Sequence, residues 1–164
     1  MIVALVGCGP SALDVKTAKT AVYRVEPHQL LRLAEEATRG EYRIRDVDEA
    51  GYMFRTDAKL YGTDGLAWSM RPLNERVAGP GPDGNGKLPM PPGMVSLSFV
   101  VRLVIGENQQ VVVSVIPKTL EGVEGGTGPR EIEPDDPSLP PFVKDRADAL
   151  ALAIYNHAKP DAGK

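Results

Sequence analysis

One cysteine, Cys8, is the whole thiol complement of the 164-residue chain. A single cysteine excludes an internal disulfide framework and any multi-cysteine metal site. Histidine is almost as scarce, at two residues. A histidine acting as base or ligand needs partner groups, and neither His28 nor His157 sits in such a motif, so both read as structural or surface residues. No apolar run approaches the roughly 20 residues that a membrane-spanning helix takes. Charge of one sign is lacking too. The net charge is -3 and acids and bases are interspersed, which leaves no basic stripe for nucleic acid. The one biased segment, residues 121–136, sets Glu124, Glu131, Glu133 and Asp135 against Arg130 alone. It reads as a solvated loop, because its oxygens lack the ordered ligand spacing of a calcium-binding loop.

The length suits one domain with its own hydrophobic core and some excess for loops and tails. Val22 to Val25 alternate in polarity and suggest a first strand. Pro27 then opens a helix, since proline is tolerated at the first helical position. Leu30, Leu31, Leu33, Ala34 and Ala37 give it an apolar stripe, and Gly40 is placed to stop it in a left-handed conformation. Two strands follow, around Tyr42–Arg45 and Tyr52–Leu60. In the second, Tyr52, Phe54, Thr56, Ala58 and Leu60 share one face, the pattern of an antiparallel sheet with one buried side. Residues 62–93 are rich in glycine and proline and read as a long exposed loop, either padding or a binding surface. A hairpin comes next, with Val95, Leu97, Phe99, Val101, Leu103 and Ile105 on one face, a return along 111–116, and Pro117 as its end. Residues 122–141 read as a second loop. From Pro141 a last helix places Phe142, Val143, Ala147, Leu150, Ala153, Ile154 and His157 on one stripe, and Pro160 ends it.

The order β-α-β-β-loop-β-β-α predicts an α+β fold. It is a two-layer sandwich, with a mostly antiparallel sheet of about five strands and two helices on one face. The domain is expected over residues 21–160, behind a flexible tether at 9–20 composed of small and polar residues.

The N-terminal stretch carries the functional signal. Leu5-Val6-Gly7-Cys8 resembles the lipobox of bacterial envelope lipoproteins: an aliphatic residue, a small or aliphatic one, Gly or Ala, then Cys. The resemblance implies that residues 1–8 are the tail of a signal peptide whose charged front lies upstream, and that Cys8 becomes a diacylglyceryl thioether at a new N-terminus. Two or three acyl chains on one residue satisfy the condition for stable anchoring. Gly9 stands where an aspartate implies inner-membrane retention in some of these proteins, which points to the periplasmic side of the outer membrane. The layout from Ala21 to Lys159 also resembles the helix-on-sheet domains of envelope lipoproteins, such as the BamC-type modules of outer-membrane assembly. Membrane lipid, through Cys8, and an envelope protein are the partners this implies.

Two other readings compete. Gly7, Gly9 and Ala12 fit G-x-G-x-x-G/A after an apolar run, with Glu26 near the distance of a ribose-binding acid, and so resemble the start of a flavin- or nicotinamide-dependent Rossmann enzyme. The tether composition and the alternating strands count against it. The third reading is a soluble small-ligand-binding domain, which would hold a closed apolar pocket between helices and sheet. No catalytic residue, metal site or cofactor is assigned. Asp46, Asp48 and Glu49 cluster at a turn, where acids are ordinarily solvated. Trp68 is the one candidate binding residue. A lone tryptophan in such a loop either folds back into the core, which we favour, or anchors a partner.

Overall fold

A computed structural model describes residues 10–70, 90–125 and 128–159. The lipobox and much of the long loop, including Asn85-Gly86, lie outside the described residues. The elements in chain order are helix α1 (Ala12–Thr20), strand β1 (Val22–Tyr23), helix α2 (Pro27–Arg39), strands β2 (Ile44–Asp48), β3 (Met53–Thr56), β4 (Lys59–Gly62), β5 (Met94–Ile105), β6 (Val111–Glu121) and β7 (Arg130–Ile132), and helix α3 (Pro141–Ala158). The fold is α+β, with an antiparallel sheet of seven strands. Long β5 and β6 pair along their whole length at its centre. β3 and β4 follow one another along the far side of β5, with β2 outside β3, and β1 and β7 share the far side of β6.

Alternation along β5 puts Val95, Leu97, Phe99, Val101 and Leu103 under the helices, all buried. Leu30, Leu31 and Ala34 of α2 and Val143, Leu150 and Ile154 of α3 close the core from above. α3 lies between α1 and α2 and touches both. The other sheet face carries Val22, Val104 and Leu120 among polar residues, all partly exposed.

Several sequence expectations need correction. Residues 12–20 are a helix and not a tether. Ser11 is the N-cap of α1: its hydroxyl accepts from the Asp14 amide at 3.1 Å and donates to the Asp14 carboxylate at 2.6 Å. Ala18 is then buried where α1 packs on α3 and β6. With so few apolar positions the helix has little amphipathic signal, so the cap and tertiary packing form it. Gly40 is right-handed, at φ -62°. The last turn of α2 is satisfied instead by the Thr38 carbonyl, which accepts from the Tyr42 amide at 2.8 Å.

The strand expected to run unbroken from Tyr52 to Leu60 is two strands. Arg55 faces Val100 but Lys59 faces Leu97, so the register slips by one residue at 57–58. Such a bulge reverses which side chains face in. Phe54 and Thr56 are buried before it, and Tyr61, rather than Leu60, is buried after it. At the break the Thr56 hydroxyl accepts from the Phe99 amide at 2.9 Å. Since the Phe99 amide points to this side, the Phe99–Pro117 pair is one that exchanges no hydrogen bonds between β5 and β6. The missing N–H of Pro117 therefore falls on the outer edge of β6, in the gap between β1 and β7. Pro117 costs the ladder nothing, and β6 continues to Glu121. The segment expected to be loop at 122–141 contributes β7. On α3 the buried stripe includes Ala151 and Ala158, whereas Ala153 and His157 are exposed.

Candidate functional site

The most elaborated polar cluster lies where the C-terminal end of α2, strand β4 and α3 converge. Just past α2, Tyr42 turns inward and packs edge-on against Phe99, with ring centres 5.0 Å apart. Lys59 opens β4, and its Nζ sits 4.5 Å from the centre of the Tyr42 ring. Two residues on, the reversed alternation turns Tyr61 inward against the Phe142 ring at 5.4 Å. The chain then makes a tight turn. The Gly65 amide donates to the Gly62 carbonyl and the Gly62 amide to the Leu66 carbonyl, both at 3.0 Å. Gly65 adopts φ +78°, and a Cβ there would lie 2.9 Å from Phe142 Cβ. Only glycine lets this turn lie so close to α3.

That contact brings α3 and the turn together at Arg146. Its Nη2 donates to the Gly65 carbonyl at 3.2 Å and its Nη1 to Glu41 Oε1 at 3.4 Å. The guanidinium lies over the Tyr61 ring at 4.4 Å. Ala67 bridges back to Tyr61, and a single 3-10 turn, Trp68–Met70, follows. Between them is an open cavity of about 670 Å³, walled by Glu41, Lys59, Tyr61, Trp68, Met70 and Arg146.

The polar atoms beneath this cavity are unusual. The hydroxyls of Tyr42 and Tyr61 and the Nε of Arg146 are buried and make no hydrogen bond among the described residues. Tyr42 lies close enough to Arg146, and Tyr61 to Tyr42, for weak hydrogen bonding to pull their pKa values down against burial, but these contacts fall short of full hydrogen-bond geometry. Burial pushes the pKa of both phenols up; Glu41 raises them further and Arg146 opposes the shift. Both are therefore neutral donors at neutral pH. An unpaired buried polar group costs about 1–3 kcal/mol, and unpaired groups concentrated beside a cavity suit an incoming acceptor. The walls offer two cations, one carboxylate and the faces of Trp68 and Met70.

Of the residues singled out from sequence, Trp68 is half-buried in the cavity wall, between the two alternatives foreseen for it. Cys8 lies outside the described residues. The turn acids serve the turn: Asp48 accepts from the Gly51 amide at 2.9 Å, and Asp46 pairs with Arg45 at 3.6 Å. His28 stacks obliquely on Tyr52 at 4.9 Å, and His157 meets Glu36 at 3.1 Å. Glu26 caps α2 by accepting from the Gln29 amide at 3.0 Å. Among the described residues no group of three or more His, Cys, Asp or Glu side chains could hold a metal ion. Every strand pair described is antiparallel. Among the described residues no strand pair supplies the doubly wound parallel sheet that the dinucleotide reading needs, and Gly7 and Gly9 themselves lie outside them.

Sequence reasoning missed Tyr42, Lys59, Tyr61 and Arg146. The bulge at 57–58 hid the inward turn of Tyr61, and nothing in the spacing of α3 links Arg146 to a turn some eighty residues earlier. Searched against known protein families and characterised proteins, the chain matches no family model and no characterised sequence.

Proposed function

We propose that this chain is a non-enzymatic binding domain of the bacterial cell envelope. In this reading acylated Cys8 holds it on the periplasmic side of the outer membrane, and it takes a ligand or a partner's side chain at the Trp68–Arg146 cavity. The observation that carries the binding role is a pair of buried donors without a partner among the described residues, Tyr61 OH and Arg146 Nε, on residues that line a cavity with an aromatic wall, with the Tyr42 hydroxyl, likewise without a partner among them, as a third. An occupant with a carbonyl or carboxylate oxygen at one end would meet those donors. A flat or apolar remainder would rest on Trp68 and Met70. The lipid anchor is supported by the Leu5-Val6-Gly7-Cys8 pattern.

The two halves are tested separately. Mass spectrometry of the protein from its host should find a diacylglyceryl adduct on Cys8; an unmodified thiol with Met1 retained refutes the anchor. For the binding role, a photo-crosslinking residue placed at exposed Met70 should give one discrete adduct in host cells, lost when Trp68 is changed to alanine. Adducts that are absent, or indifferent to Trp68, refute it. A second reading, a small-ligand-binding domain with no anchor, would use this open cavity in place of the closed apolar pocket between helices and sheet expected for it. Cell fractionation separates the two, because Cys8→Ser would then leave the location unchanged.

A further inference from the structure

We infer that the groove between α1 and α3 is the face this domain lays on a phospholipid surface. The inference rests on the anchor proposed above. α1 starts at Ala12, four residues after Cys8, and each residue spans at most about 3.6 Å. The first turn of α1 is therefore within about 14 Å of the anchored Cα, and Pro10 within about 7 Å. A twelve-residue tether would reach roughly 40 Å and let the domain stand clear of the membrane. With a helix in its place, the domain has no room to stand off. The surface around Pro10 must meet the headgroup layer, which is only about 5–7 Å deep on each side of the bilayer.

That surface is built for such contact. An open groove of about 810 Å³ runs between the two helices, lined by Pro10, Ala12, Val15, Lys16, Lys144 and Ala149 among others. Leu13 is 72% exposed on the first turn of α1. Lys16 and Lys144 make no ion pair among the described residues, while Lys19 is held by Asp148 at 2.7 Å. The acids here are Asp148, so paired; Asp14, held by Ser11 at 2.6 Å; and Asp145. Two uncommitted amines on flexible apolar stems can reach lipid phosphates while their stems and Leu13 lie in the interface. Charge around the groove balances overall, Lys16, Lys19 and Lys144 against Asp14, Asp145 and Asp148, so the contact is weak alone and depends on the anchor for its effective concentration.

The lone cysteine gives a direct test. The full chain is coupled through Cys8 to a maleimide-headgroup lipid in vesicles of phosphatidylcholine with a minority of phosphatidylglycerol. Its hydrogen exchange is compared with that of chain blocked by N-ethylmaleimide and mixed with the same vesicles. Peptides covering 11–20 and 141–149 should exchange about fivefold more slowly when coupled, with residues 44–48 unchanged. The double substitution Leu13→Glu, Lys16→Glu should abolish that protection and leave the rest of the exchange pattern intact. Equal exchange of α1 in coupled and blocked chain overturns the inference, as does protection confined to another face or retained in the double variant. The coupling is chemical, so the result does not depend on acylation in the host; the mass spectrum of native Cys8 tests that separately.

Discussion

Replacing Tyr42 and Tyr61 by phenylalanine should stabilise the protein. Each substitution removes a buried hydroxyl that has no partner among the described residues and leaves the ring in place. The Tyr42 ring keeps its edge contact with Phe99 at 5.0 Å, and the Tyr61 ring its contacts with Phe142 at 5.4 Å and with the Arg146 guanidinium. No cavity opens, since only one oxygen leaves. An unsatisfied buried hydroxyl costs about 1–3 kcal/mol, and allowing for partial relaxation we expect a gain of about 1 kcal/mol for each variant. For a chain of this size that is about 2–4 °C in Tm. The double variant should gain less than the sum, because the two groups are neighbours and their effects couple. Urea unfolding with an unchanged m-value is the assay. A loss of about 1 kcal/mol or more in either single variant would refute the reasoning, because it would mean that the hydroxyl has a partner. The same variants should lose photo-crosslinking at Met70, so stability and binding move in opposite directions, as expected when a site keeps donors unpaired for an occupant.

Four further outcomes follow from the same geometry. Gly65→Ala should cost about 1–3 kcal/mol in urea unfolding, from left-handed strain and the 2.9 Å approach to Phe142; an unchanged midpoint would mean that the turn does not press on α3. On the alkaline side, stability should be level from neutral pH to about pH 10 and fall above it. Burial raises the pKa of Tyr42 and Tyr61 and carries that of Tyr23 to about 12, so between those values the unfolded chain gives up protons that the folded one keeps. The fall should be shallower in the double phenylalanine variant, and a pH titration of the unfolding midpoint checks both slopes. At the acid end, Glu26→Gln should flatten the loss of stability below about pH 4.5, because hydrogen bonds from backbone amides in the first turn of α2 hold that carboxylate below its ordinary value. Pro117→Val should restore an outward N–H to the gap in the β6 edge and increase self-association by strand pairing, read by sedimentation; a variant as monodisperse as the parent would refute the role given to the proline.

Much of the architecture was legible because it rests on period and punctuation. The α2 stripe, the β5–β6 hairpin and the last helix all bury long apolar sets, and burial of that kind overrides local detail. What was not legible depends on single residues acting through tertiary contact. α1 has only Val15 and Ala18 to turn toward the core, too little for a periodicity, and its one strong signal was the Ser11–Asp14 cap. Proline 117 reads as a terminator until the pairing parity places its missing donor on the outside. One inserted residue at 57–58 moves Tyr61 from the wet face to the core, and with it the floor of the cavity. Arg146 is unremarkable on a helical wheel, and its role comes from the Gly65 turn docking beside it.

The replacement of a tether by α1 changes what the proposed Cys8 anchor can do. A long tether would leave the orientation of the domain free, and any face could meet the membrane or a partner. α1 instead would fix one flank of α3 near the proposed attachment point. Two residues advance about 200° around a helix axis, so Arg146 projects from α3 on nearly the opposite side from Asp148, which faces α1 through Lys19. The Trp68–Arg146 cavity and the lipid-facing groove thus occupy opposite flanks of the same helix. A domain lying on its α1 side would hold the cavity away from the headgroups, open to the aqueous space where a soluble ligand or partner arrives. The two proposals constrain each other through this geometry: an occupant of the cavity should bind the coupled, vesicle-bound chain as well as the free one. If coupling Cys8 to vesicles blocked crosslinking at Met70, the domain would lie on its other flank, and the groove would not be the membrane face.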